Sequence, residues 1–103
     1  MPTRAPSARR ATFQGRPVDV VIDVRTKLEY WMGHLGGAKH IPVDIIADEL
    51  PQRADVAVDS HIMVYCASGA RSAAAAASLR AIGYLRVTDG GGIGSATQHY
   101  VAA

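Results

Sequence analysis

Apolar residues in this chain fall into short, nearly continuous runs separated by glycine-rich and polar segments. Residues 18–24, Val-Asp-Val-Val-Ile-Asp-Val, form the first strong run, and their β-branched content predicts a strand covered on both faces. Residues 62–65, Ile-Met-Val-Tyr, predict a second buried strand. Between them Thr26 stands as the N-cap of a short helix holding Glu29, Tyr30 and Trp31, and Glu29 completes a capping-box pattern. Gly33, Gly36 and Gly37 mark a turn, and residues 38–41 predict a brief strand ended by Pro42. Asp44 is the expected N-cap of a helix with Ile45, Ile46 and Leu50 on one face. Residues 53–60 read as a polar connection. Residues 71–82 predict a helix, because alanine, leucine and arginine are strong helix formers, and Gly83 stands where its end needs positive φ. Residues 85–88 read as a short last strand, 89–95 as a glycine-rich turn, and 96–103 as a frayed helical turn.

Strands alternating with helices predict an α/β domain with a small, mainly parallel sheet flanked by helices on both faces. Sites in open parallel sheets form at the carboxyl ends of the strands. That rule brings Asp23, Cys66 and the Asp89-Gly90-Gly91 turn to one end.

At 103 residues the chain is expected to hold one domain, and 49% apolar with 19% charged residues is ordinary for a globular protein. A net charge of +2 gives no argument for a nucleic-acid or membrane partner, and no apolar run is long enough to cross a bilayer. Residues 1–16 are basic, with Arg4, Arg9, Arg10 and Arg16, and poor in large apolar side chains. They are expected to be a poorly ordered tail ending near Gly15 or Pro17, with the domain at 17–103. No apolar signal core follows the arginines, so a cytoplasmic location is expected, with the periplasm as the alternative if a signal segment was removed.

The single cysteine cannot form an internal disulfide, so the fold does not depend on an oxidising compartment. Cys66 sits where the strand at 62–65 hands over to the helix at 71–82, in the stretch Cys66-Ala67-Ser68-Gly69-Ala70-Arg71-Ser72. A helix N-terminus leaves unpaired N–H groups and a partial positive charge, which lower a thiol pKa and favour a nucleophilic thiolate. The N–H groups of residues 67–72 are candidates for a nest around whatever is bonded to sulfur, and Arg71 adds a planar donor fork suited to oxyanions. The plainer readings are a buried small hydrophobe for Cys66, a structural helix-start residue for Arg71 and a helix cap for Ser72. His34, His40, His61 and His99 show no metal-ligand spacing with one another or with Cys66, so no metal or cofactor is expected. The run of alanines at 73–77 is read as a helix face made small so that it can lie close to the sheet.

Several segments, in order, resemble a single-domain rhodanese of the sulfurtransferase family: Ile22-Asp23-Val24-Arg25, Glu29-Tyr30, Gly33-His34-Leu35-Gly36-Gly37-Ala38-Lys39-His40-Ile41-Pro42, Val64 to Ser72, Gly83-Tyr84 and Gly91-Gly92-Ile93. Within that family the chain is most similar to the short phage-shock-protein E type, which begins close to the Asp-Val-Arg strand. It departs from fuller members in having Ala96 or a neighbour where they carry a tryptophan. The resemblance implies that Cys66 attacks the outer sulfur of a donor such as thiosulfate, releases sulfite, and passes the persulfide sulfur to cyanide or a thiol. The loop from Ala67 to Ser72 would bind the donor, with Arg71 holding its charge. Asp23, Arg25 and Glu29 would tie the first loop together.

Four residues separate Cys66 from Arg71, one fewer than in the related dual-specificity phosphatases and arsenate reductases, so the loop suits a single sulfur atom better than a tetrahedral oxyanion. Two functions follow: a thiosulfate sulfurtransferase, or a carrier that takes persulfide from a protein partner and hardly turns over thiosulfate.

Overall fold

The computed structural model describes residues 10–103. Its centre is a four-stranded parallel sheet in the order β4-β3-β5-β6, with β3 at Val20–Asp23, β4 at Lys39–His40, β5 at His61–Cys66 and β6 at Arg86–Gly92. β3 and β5 lie in register from Val20 beside Ile62 to Asp23 beside Tyr65, and both are buried almost throughout. Alternation along these strands sends Val20, Ile22, Val24, Ile62, Val64 and Cys66 to one face, and Val21, Met63 and Tyr65 to the other.

The first face packs against α2 (Ile46–Glu49) and α3 (Ala70–Ala81), through Ile46, Ala75, Ala76 and Leu79. Ala75 and Ala76 are fully buried, so the small side chains do bring α3 close to the sheet. The second face is covered by Leu35, Ala96 of α4 (Ile93–Thr97), the half-buried Tyr30 of α1 (Lys27–Trp31) and a β-hairpin. The expected α/β architecture with helices on both faces is the observed one.

Several boundaries differ from the sequence expectation. The strand expected over 18–24 is two elements: β2 (Arg16–Val18) belongs to the hairpin, and Asp19 breaks away before β3. Residues 10–16 are not tail: β1 (Ala11–Phe13) pairs antiparallel with β2, with Phe13 opposite Arg16. The two-residue turn Gln14-Gly15 has φ of 53° and 78°, the positive values that match hairpin twist. Ala11, Phe13 and Val18 are then buried on the sheet, which is why this segment orders although it looks polar overall. The rest of the expected tail, residues 1–9, lies outside the described residues.

The chain's other end supplies a strand that sequence reading missed: β7 (Tyr100–Val101) joins β1 to give a second, antiparallel sheet in the order β2-β1-β7. The last parallel strand runs to Gly92 rather than to residue 88, because glycine at 90 and at 92 admits close neighbours where a side chain would not fit. Asp44 does not cap α2; Ile45 is the cap residue and makes no side-chain hydrogen bond. Among the described residues no helix is long and apolar enough to cross a membrane.

Candidate active site

Cys66 is the last residue of β5, and Gly69 is the N-cap of α3 with φ of 110°, a left-handed turn open to glycine at little cost. This sharp turn aims the backbone back at the sulfur. Gly69 N–H donates to Cys66 Sγ at 3.0 Å and Ser72 N–H donates at 3.3 Å. The Cys66 thiol donates to Ser72 Oγ at 3.5 Å, and Ser72 Oγ–H donates to the Gly69 carbonyl at 3.0 Å, closing the loop on itself. Burial pushes the Cys66 thiol up, but the Ser72 hydroxyl, which turns its proton from the Gly69 carbonyl to the sulfur once the thiolate forms, and the N–H groups of Ser72, Gly69 and Ser68 outweigh it and hold the thiol below its ordinary value. Cys66 itself has no exposed surface, while Ala67, Ser68 and Ala70 are exposed around it.

The loop leans on the end of β6. A side chain on Gly92 would meet the Ala67 carbonyl oxygen at 2.6 Å, and one on Gly69 would lie 3.9 Å from Gly91 Cα. The strand-end rule therefore put Asp89, Gly90 and Gly91 at the correct end, although they are the last part of β6 and not the expected turn: Asp89 Oδ1 accepts from Gly91 N–H at 2.9 Å where the register with β5 shifts.

Arg71 is engaged by α1. Its Nη1 and Nη2 donate to Glu29 Oε1 and Oε2 at 2.7 and 3.0 Å. Glu29 is also the capping-box residue: its Oε1 accepts from Thr26 N–H at 3.0 Å while Thr26 Oγ1 accepts from Glu29 N–H at 3.3 Å. Arg71, then the Thr26 backbone, hold the Glu29 carboxyl down to about 2. The capping box was legible in the sequence, but the link to the cysteine loop was not, because it joins positions far apart in the chain.

Asp23 and Arg25 form a buried pair at the end of β3. Arg25 Nη2 donates to Asp23 Oδ2 at 2.6 Å and to the Gly33 carbonyl at 2.6 Å, so the pair pins the glycine turn as expected of a structural role. The guanidinium carbon also lies 5.7 Å from the centre of the Tyr65 ring, and Tyr65 Oη accepts from Leu35 N–H at 3.0 Å. His34 and His40 stack on Tyr30 from two sides, and His40 Nε2 bonds to the Arg25 carbonyl at 2.8 Å. These groups rigidify the frame beside the loop. Among the described residues no group of three or more His, Cys, Asp or Glu side chains is placed to hold a metal ion.

Comparison with known proteins places this geometry. The rhodanese-like domain family matches residues 7–92. A tRNA uridine(34) hydroxylase of Erwinia tasmaniensis is 38% identical over 74 residues, 69% of this chain and 21% of that protein. The chain thus spans about a fifth of the length of the curated relatives it matches. Among solved structures, a rhodanese with anions from E. coli has a TM-score of 0.71 at 27% identity, covering 82% of this chain and 98% of that one. A rhodanese-like domain protein from Staphylococcus aureus has a TM-score of 0.65 at 36% identity, covering 78% and 74% of the two chains. With its sequence matched from the hairpin to the end of β6, and its cysteine loop seated on the parallel sheet, this chain belongs to the rhodanese-like domain family.

Proposed function

We propose that the domain is a thiosulfate sulfurtransferase working through a Cys66 persulfide. The observation that carries this reading is the convergence of the Gly69 and Ser72 N–H groups on Cys66 Sγ at 3.0 and 3.3 Å. They are directed at the sulfur atom itself, which suits a thiolate and then a persulfide better than a larger oxyanion.

The chemistry divides into two displacements. Cys66 thiolate attacks the outer sulfur of thiosulfate; a new S–S bond forms, the S–S bond of thiosulfate breaks, and sulfite leaves with the electron pair. Cyanide, or a thiolate acceptor, then attacks the terminal sulfur and Cys66 leaves as thiolate. No general base is needed where the thiol is already depressed. Arg71 would meet the donor's sulfonate with the donor capacity that Glu29 leaves unused, and the loop residues Ala67, Ser68, Gly69, Ala70 and Ser72 would frame it. A reducing, cytoplasmic setting fits a free thiol of this kind.

One observation favours a second reading. Arg71, the only cation of the loop, is neutralised by Glu29, which weakens the pull on a dianionic donor and suits a carrier loaded by a protein persulfide. The hydroxylase activity named for the curated relatives belongs to proteins of which this chain spans about a fifth, and the cysteine loop argues for sulfur transfer.

Intact mass after thiosulfate and then cyanide, for wild type and Cys66→Ser, tests both readings. The expected result is a gain of one sulfur that cyanide removes and that the variant never acquires. Loading by a persulfide but not by thiosulfate would establish the carrier, and no loading from any donor would exclude both.

A further inference from the structure

A cleft of about 560 Å³ opens at the other end of the sheet from Cys66, between the hairpin and the first residues of β5 and β6. His61 begins β5 and Cys66 ends it, a separation of about 16 Å at the usual rise per residue. Three of the residues lining the cleft are Arg16, His61 and Arg86, and none is acidic.

The donors here are poorly used. Arg86 Nη1 lies 2.8 Å from His61 Nε2. A guanidinium has only donors, so Nε2 is the acceptor and the imidazole carries its proton on Nδ1. Arg86 thus leans on a neutral ring rather than on a carboxylate. Among the described residues neither Arg86 nor Arg16 has a carboxylate within 4.0 Å, and the Arg16 side chain makes no hydrogen bond. The carboxylate facing His61 is Asp19, and it is already engaged by Arg10 and by the His61 backbone N–H. Two guanidinium forks with spare donors on the lining of one cleft are a donor set suited to a phosphate.

The cleft also has an apolar side. Phe13, Pro17, Ile62 and Leu85 line it, and Leu85 is 71% exposed although it sits beside Arg86. A bare ion would leave that surface wet, whereas an organic body would cover it.

We propose that this cleft is a second binding site, for a small organic phosphate whose phosphate is held by Arg16 and Arg86 and whose apolar body lies against Leu85 and Pro17. The site is independent of Cys66 chemistry. Its ligand is a phosphomonoester of nucleotide size, for which adenosine monophosphate is the probe.

The test is calorimetric titration of the full chain with adenosine monophosphate, adenosine and inorganic phosphate, alongside amide chemical shifts of His61, Leu85 and Arg86. Adenosine monophosphate is expected to bind more tightly than either fragment and to shift those amides. Arg16→Gln and Arg86→Gln, both at exposed positions, should each weaken it by about tenfold or more, the range for hydrogen bonds to charged groups. Arg86→Lys, which keeps the charge without the fork, should fall between. Cys66 alkylation should proceed at the wild-type rate in all three variants. Absence of binding at millimolar probe, equal binding of adenosine, equal binding of inorganic phosphate, or indifference to both Gln substitutions would each overturn the proposal. The amide shifts in the wild-type chain decide it even if a variant folds poorly.

Discussion

Arg71, in the first turn of the helix that follows the cysteine, is held by Glu29 in the first helix of the chain through two hydrogen bonds of 2.7 and 3.0 Å. One carboxylate thereby caps α1 and fixes the near end of α3. The ion pair is about one-third exposed, so its Coulomb attraction is partly screened and its worth lies in geometry as much as in energy.

Glu29→Gln is expected to lower stability by about 1 kcal/mol at neutral pH, the upper range for an exposed pair. The folded carboxyl is held down to about 2 from an ordinary 4.5, so its contribution is complete above the unfolded value and disappears as pH falls through the folded one. Urea unfolding of both proteins at a series of pH values should therefore show a constant gap above 4.5 that closes towards 2. A gap that does not depend on pH would mean that Glu29 acts through packing alone.

Ser72→Ala removes the hydroxyl beside Cys66 Sγ while leaving the Ser72 N–H in place. The thiol should move upward, and alkylation by iodoacetamide at neutral pH should slow by about fivefold, equivalent to about 1 kcal/mol for one net hydrogen bond. The readout is the pH profile of alkylation, which shifts if the hydroxyl stabilises the thiolate. An unshifted profile with a lowered melting temperature would make Ser72 only a brace for the loop.

Much of this site could be read from residue order. A β-branched run predicted β3, a short apolar run predicted β5, alanine and leucine predicted α3, and the strand-end rule joined Asp23, Cys66 and Gly91. What could not be read was pairing between distant segments. Phe13 and Tyr100 meet as neighbours across β1 and β7, yet each lies in a short polar context that predicts little by itself. The Glu29–Arg71 pair is hidden for the same reason. Local propensity decides an element only where the element is long or strongly patterned; two- and three-residue strands exist because tertiary contacts make them.

Gly92→Ala tests the support beneath the cysteine loop. Its φ of −78° suits any residue, so the cost is one of space: the new methyl would sit 2.6 Å from the Ala67 carbonyl oxygen. Overpacking of this kind costs about 1–3 kcal/mol, and Cys66 alkylation should change with it as the loop shifts. Gly94→Ala is the control, since nothing lies within 4 Å of its added methyl and it stands inside α4. It should be neutral or stabilise by up to about 1 kcal/mol. Equal melting temperatures for the two variants would refute the close approach.

Ala75→Leu tests the alanine face of α3. Ala75 is fully buried beside Val64 and Cys66 in one apolar cluster, whereas Ala73 and Ala77 are exposed on the same helix. The larger side chain should cost about 1–3 kcal/mol or force α3 off the sheet, moving the Ser72 N–H away from sulfur. Ala73→Leu and Ala77→Leu should stay within about 0.5 kcal/mol. If all three melted alike and alkylated alike, close packing of α3 would not be what seats the loop.

Phe13→Ala asks whether the hairpin belongs to the fold. Phe13 is 6% exposed in the cluster with Val21, Met63 and Tyr65, and it pairs with Tyr100 at the far end of the chain. Removing a buried phenylalanine costs about 3–5 kcal/mol where the site cannot collapse, and a three-residue strand can shift to close part of the gap, so the loss should sit near the lower figure. A dispensable tail would lose less than about 0.5 kcal/mol. Because β5 carries Met63 on this face and Cys66 three residues later, a large loss should also speed alkylation of Cys66 as local opening becomes easier. Unfolding by urea with alkylation rates measured below the transition separates the two effects. A full loss of stability without faster alkylation would show that the hairpin stabilises the sheet without restraining the cysteine loop.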